Sequence, residues 1–76
     1  MPKLATITPK KLVKLLLEQG FIERDAAGSH VLFRHDDGRT TTVAIKQKEL
    51  GRGLLRKILR DIELSPEEYE VLRKKL

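Results

Sequence analysis

Apolar residues recur at helical spacing through Leu12, Val13, Leu15, Leu16 and Leu17, which predicts a short amphipathic helix. The ends of this helix are marked in the sequence. Thr8 carries a hydroxyl able to cap the free amides, Pro9 suits the first helical position, and Ile7 is placed to pack on Leu12. Gly20 supplies the left-handed residue that closes such a helix. From Phe21 the period changes to short segments, Phe21 to Arg24, Ser29 to Arg34 and Arg39 to Ile45. Between them stand the turns Asp25-Ala26-Ala27-Gly28 and His35-Asp36-Asp37-Gly38. The Asp37-Gly38 pair, followed by the β-favouring Thr40-Thr41-Thr42-Val43, predicts a hairpin. In the middle strand, alternation puts Val31 and Phe33 on one face and His30, Leu32 and Arg34 on the other. With helices covering the Val31 and Phe33 face, His30 and Arg34 look outward.

A second helical pattern follows Gly51-Arg52-Gly53. Leu54, Leu55, Ile58, Leu59 and Ile62 form its apolar stripe, with Arg52, Arg56, Lys57 and Arg60 around the other side. Ser65-Pro66-Glu67-Glu68 reads as a capping box with proline at the first helical position, and Leu64 is set to staple against Tyr69. This predicts a third, C-terminal helix. The order α-β-β-β-α is that of the double-stranded-RNA-binding fold. The expected class is therefore α+β: a three-stranded antiparallel sheet with helices on one face, plus a short C-terminal helix. No repeat or flexible linker divides the chain, so residues 1–76 are expected to form a single domain, with a core over about 8–65 and a helical extension over 65–76.

Size restricts what such a domain does. A chain of 76 residues buries only ~60% of the surface it exposes when unfolded, which leaves no room for a deep pocket. Chemistry is then expected on an open face, acting on a polymer or a partner protein rather than a small metabolite. Cysteine is absent, which removes disulfides and thiolate metal sites. The stretch Met1 to Thr6 lacks the apolar run of a signal peptide, and no segment approaches the ~20 apolar residues of a membrane span. A cytoplasmic protein without membrane contact is expected. Sixteen Lys and Arg against eleven Asp and Glu give a formal charge of +5 and a pI near 9.8. That excess attracts nucleic acid and acidic proteins alike, and a plain solvated surface explains it equally well.

The chain contains two histidines, His30 and His35. A zinc site needs a richer cluster and a two-metal nuclease needs several converging carboxylates, so no metal is expected. Gly51 and Gly53 match neither a phosphate-binding loop nor a dinucleotide fingerprint, and no small-molecule cofactor is expected. One exposed histidine among cations is nevertheless sufficient to cut RNA. The ribose 2′-hydroxyl is an internal nucleophile, a base near neutral pKa removes its proton, and Arg or Lys neutralises the charge growing on phosphorus. The products are then a cyclic phosphate and a free 5′-hydroxyl. Taken on chemistry alone, His30 reads more readily as a plain surface histidine than as a catalyst, and His35 reads as a solvated turn residue or a phosphate contact. Arg34, on the same face as His30, is either a surface cation or a contact to an adjacent phosphate.

Taken together, Gly20-Phe21, Gly28-Ser29-His30, Phe33, Asp37-Gly38, Thr42-Val43, Gly53, Leu55-Arg56-Lys57-Ile58-Leu59 and Leu64-Ser65 resemble the HicA (YcfA-like) toxin family. The resemblance runs from about Thr8 to Ser65. It implies metal-independent cleavage of mRNA and neutralisation by a HicB-like antitoxin. The family's Gly-Ser-His histidine carries onto His30 as the catalytic residue. Gly28 would then shape the turn presenting it, and Ser29 would orient phosphate. Arg34, Lys46, Arg52 and Arg56 are the expected RNA contacts. Several positions depart from the family pattern. Asp25 stands where a basic residue is common, Ala44 and Lys46 replace a Pro and a His, and Leu54 replaces a capping Thr, leaving Gly53 as the expected cap of the second helix. Two other readings use the same residues: a non-catalytic RNA-binding module of this fold, and a protein-interaction domain that has lost its active site.

Overall fold

A computed structural model describes residues 4–76; Met1, Pro2 and Lys3, at the start of the N-terminal stretch read above, lie outside the described residues. The elements run α1 (Pro9–Glu18), β1 (Ile22–Ala27), β2 (His30–Arg34), β3 (Thr40–Ala44), α2 (Arg52–Asp61) and α3 (Pro66–Lys74). The strands form one antiparallel sheet in the order β1-β2-β3. The expected α+β arrangement of the double-stranded-RNA-binding fold is therefore the observed one.

Side-chain alternation along β2 explains why both helices lie on the same face. Val31 and Phe33 are buried, as are Thr41 and Val43 on β3, and Val31, Phe33 and Val43 pack with Leu12, Leu15 and Leu16 of α1 and Leu55, Ile58 and Leu59 of α2. A helix turning 3.6 residues at a time carries Leu12, Leu15 and Leu16 on one side. Leu17, one step further round, is 51% exposed although it belongs to the same apolar run. Thr41 is the one buried polar side chain among the described residues; its hydroxyl donates to Asp61 Oδ2 at 3.1 Å, which satisfies it.

The helix ends follow from local chemistry. Thr8 accepts from the Lys11 amide at 3.3 Å and Pro9 opens α1. At the other end Gly20 has φ +91°, the Gly20 amide donates to Leu17 O and the Phe21 amide to Leu16 O, the paired bonds of a Schellman closure. The capping box at α3 is complete: Ser65 and Glu68 exchange two bonds of 3.1 Å. The start of α2 differs from the expectation at Gly53. The Leu55 amide closes on Gly51 O at 2.9 Å, so the helix begins at Arg52 with Gly51 as its cap. A glycine cap offers no side-chain acceptor, and none is used.

α2 also ends in a Schellman closure, with the Glu63 amide on Arg60 O and the Leu64 amide on Leu59 O. Here the left-handed position, φ +57°, is held by Glu63. A side chain there costs about 1–2 kcal/mol relative to the right-handed region, a strain glycine avoids. Glu63→Gly is therefore expected to stabilise the protein, by roughly 1 kcal/mol after the larger unfolded-state entropy of glycine is subtracted. A urea titration that shows a lower midpoint for this variant contradicts the assignment of strain.

Segments flanking this core are also fastened to it. The Leu50 amide donates to Ile7 O at 2.9 Å. Arg52 Nε donates to Leu4 O at 3.0 Å, and the Tyr69 hydroxyl to Ala5 O at 2.6 Å. Leu4, Ile7 and Tyr69 are all buried in the single hydrophobic cluster. Burial raises the pKa of the Tyr69 hydroxyl, keeping it a neutral donor to that carbonyl.

Candidate active site on the open face of the sheet

The connection between β1 and β2 is shorter than the sequence pattern indicates. Asp25, Ala26 and Ala27, expected in a turn, are paired strand residues opposite Leu32, Val31 and His30. Only Gly28 and Ser29 remain to reverse the chain. Gly28 has φ +62° while Ser29 is not in the left-handed region, the pattern of a two-residue hairpin with glycine first. A β-carbon at Gly28 would meet nothing within 4 Å, so the requirement there is conformational and not spatial. His30 is thereby fixed as the first residue of β2, directly after the turn.

His30 is exposed and faces away from the helices. Opposite it on β3 stands Ala44. The Ile45 amide donates to Ser29 O at 2.9 Å, so Ser29 and Ile45 form a hydrogen-bonded pair and His30 and Ala44 the closer, non-hydrogen-bonded kind. The small Ala44 leaves space beside the ring. Asp25, Ala27, His30, Leu32 and Thr42 line an open depression of ≈ 220 Å³ at this end of the sheet. Asp25, on the neighbouring strand, is diagonal to His30 in the register, so the depression holds one imidazole and one carboxylate.

The remaining expected contacts are spread over three places. Ser29, half-buried in the turn, and Lys46, exposed in the turn that follows β3, stand at the His30 end of the sheet. Arg34 occupies the far end of β2 on the same face; four residue steps along the strand put it ~13 Å from His30, too far for both to hold one phosphate. Arg52 and Arg56 belong to α2, in the layer behind the sheet, and Arg52 already uses its Nε on Leu4 O.

His35 is a structural residue of the β2–β3 hairpin. Its ring packs edge-on against Phe21, centroids 5.1 Å apart at 67°. Its Nδ1 lies 3.1 Å from the Asp37 amide nitrogen and 3.2 Å from Asp37 Oδ1, and its Nε2 is turned toward Gly20. A β-carbon on Gly20 would stand 3.0 Å from that Nε2, so Gly20 is required here by close approach as well as by its φ. Arg39 completes the cluster: Nε donates to Asp37 Oδ2 at 2.8 Å, the guanidinium lies 5.2 Å from the Phe21 ring centroid, and Nη1 donates to the Ile62 carbonyl at the end of α2. The Arg39 amide, with the guanidinium adding to it, holds the Asp37 carboxyl below its ordinary pKa.

Sequence reasoning missed Arg24 and misplaced Asp25, for one reason. The pairing of β1 with β2 skips a residue between Glu23 and Asp25, a bulge that carries no mark in the sequence. Among the described residues no group of three or more His, Cys, Asp or Glu is arranged to hold a metal ion. No helix among them is long and apolar enough to cross a membrane.

Compared with known proteins, the chain matches the profile of a family described as HicA toxin of bacterial toxin-antitoxin, over residues 9–64 of its 76. No curated protein matches it.

Proposed function

Since the chain belongs to the HicA toxin family of bacterial toxin-antitoxin systems, we propose that it is a cytoplasmic endoribonuclease that cleaves mRNA with His30 as its general acid or base. The observation that carries this reading is the position of His30: exposed on the uncovered face of the sheet, in an open depression, with Ser29 and Lys46 at the same end.

In the proposed mechanism, RNA lies across the open face and a neutral His30 imidazole removes the proton of a 2′-hydroxyl. The alkoxide attacks the adjacent phosphorus, the bond to the 5′-oxygen breaks, that oxygen takes a proton from water, and a cyclic phosphate and a 5′-hydroxyl result while the His30 imidazolium returns its proton to solvent. Lys46 is suited to balance the charge on the phosphoryl oxygens, and Ser29 to orient the phosphate by hydrogen bonding. Arg34 holds the strand further along, and Arg52 and Arg56 add long-range attraction to the polyanion. The nucleophile and all the charge stabilisation come from RNA and side chains, so no metal enters. Phe21, Phe33 and Tyr69 are all buried, so no Phe or Tyr ring is free on this face for the base stacking that a passive single-strand binder uses. The partner implied by a toxin-antitoxin system is an antitoxin, proposed to be HicB-like and to cover the His30 face.

The mechanism makes the 2′-hydroxyl indispensable. An RNA carrying one deoxynucleotide at the mapped cut site is expected to resist cleavage there by at least ~10²-fold, while cutting of the all-ribo substrate continues in a chelator. Cleavage through the deoxy position, or loss of activity on chelation, overturns the proposal.

A further inference from the structure

The bulge in β1 has an effect beyond the register. Glu23 pairs with Phe33 and Asp25 with Leu32, leaving Arg24 as the extra residue opposite a single step of β2. Bulges re-aim side chains. Here Ile22 and Arg24, by alternation, and then Asp25 all come to the open face in quick succession. Ile22, Arg24, Arg34, His35 and Asp36 line a second open depression of ≈ 230 Å³. It lies on the same face as the His30 depression but at the opposite end of β2.

What sets this place apart is that two uncommitted guanidinium groups line one depression on the open face, whereas Arg56 and Arg60, equally without a salt bridge among the described residues, belong to α2 in the helical layer. Arg39 is held by Asp37 and Ile62, Arg52 by Leu4, Arg73 by Glu70 and Lys57 by Asp61. Arg24 and Arg34 form no salt bridge among the described residues, although two cations on one depression repel each other. The sole carboxylate lining it, Asp36, pairs with neither. Two planar forks, each presenting several N–H donors, match the oxygens of a phosphodiester. The half-exposed Ile22, 48% accessible, offers an apolar surface to a ribose or base, and the wall is the His35 ring already fixed by Phe21 and Asp37.

We propose that Arg24 and Arg34 form a second phosphate subsite, which grips the RNA backbone at a phosphate distant from the one cleaved at His30. This rests on the reading of the open face as the RNA-binding face. The ~13 Å between His30 and Arg34 along β2 makes the substrate an extended single strand laid along β2, over Leu32, and held at both ends.

The test uses a 2′-O-methyl RNA oligonucleotide, which binds but has no free nucleophile, titrated at several salt concentrations against the full chain. Arg24→Gln and Arg34→Gln are each expected to weaken binding by up to about fivefold, the worth of an exposed ion pair. Each is expected to reduce the slope of log affinity against log salt by ~0.7, one single-strand phosphate contact. Arg60→Gln, with the same loss of charge on the helical layer, is expected to leave the slope as it is. Wild-type slopes in the Arg24 and Arg34 variants, or an equal loss in Arg60→Gln, overturn the subsite. So does a loss confined to antitoxin binding, which would make the pair a protein contact. Failure of the wild-type chain to bind overturns both the subsite and the RNA reading. Full cleavage by a His30 variant alongside weakened Arg24 and Arg34 variants removes the catalytic reading and keeps the subsite.

Discussion

Replacing Tyr69 with alanine is expected to cost about 3–5 kcal/mol of stability, the range for removing a large buried aromatic, and to lower the melting temperature by roughly 4–8 °C for each kcal/mol. The family match ends at residue 64, before α3 begins, so α3 has the look of an appendage. Packing contradicts that. Tyr69 has no exposed surface, it belongs to the same cluster as Leu12, Phe33 and Ile58, and its hydroxyl reaches across to Ala5 at the opposite end of the chain. Tyr69→Phe separates the two contributions. It keeps the ring and removes the bond to Ala5, so it is expected to cost only ~0.5–1.5 kcal/mol. Chemical denaturation of the two variants measures both. A loss under about 1 kcal/mol for Tyr69→Ala contradicts the view that α3 completes the core.

The elements legible in the sequence are those whose signals are local. Thr8-Pro9, Gly20 and the Ser65 capping box mark helix ends because each answers the unsatisfied backbone groups of one turn, and all three are found where the pattern puts them. The sides of β2 were legible too, since alternation along a half-buried strand leaves Val31 and Phe33 as the inward pair. What was not legible depends on the partner strand. β1 is exposed along its whole length, so its residues carry no apolar alternation, and Asp25-Ala26-Ala27 reads as a turn. Its pairing comes from the backbone ladder to β2, and the bulge that releases Arg24 is a property of that ladder. The start of α2 is a smaller case of the same kind. The sequence points to Gly53 as the cap, and only the bond from Leu55 to Gly51 moves it two residues earlier.

The candidate site divides in the same way. His30 was legible because a turn glycine and strand alternation together fix the direction of its side chain. The grouping of the cations was not. Arg34, Lys46, Arg52 and Arg56 are similar as sequence positions, yet Lys46 stands at the His30 end, Arg34 at the far end of the strand, and Arg52 and Arg56 in the helical layer. His35 reads as a solvated turn residue or a phosphate contact and Arg39 as the start of a strand segment, but they tie the hairpin tip to Phe21 and to the end of α2. Asp25 reads as a lost cation and instead shares the depression with His30.

The central claim is that His30 performs the chemistry, and its exposure makes the claim cleanly testable. A surface substitution away from caps and core contacts changes stability by no more than ~0.5 kcal/mol, so His30→Ala is expected to fold as the wild type does. General acid–base catalysis by one group supplies typically ~10²–10⁴-fold in rate. The decisive measurement is the first-order rate of RNA cleavage in a chelator by purified wild-type and His30→Ala protein, with unfolding midpoints taken on the same preparations. A fall in rate of at least ~10²-fold with matching midpoints is the predicted result; equal rates in the two proteins would contradict it.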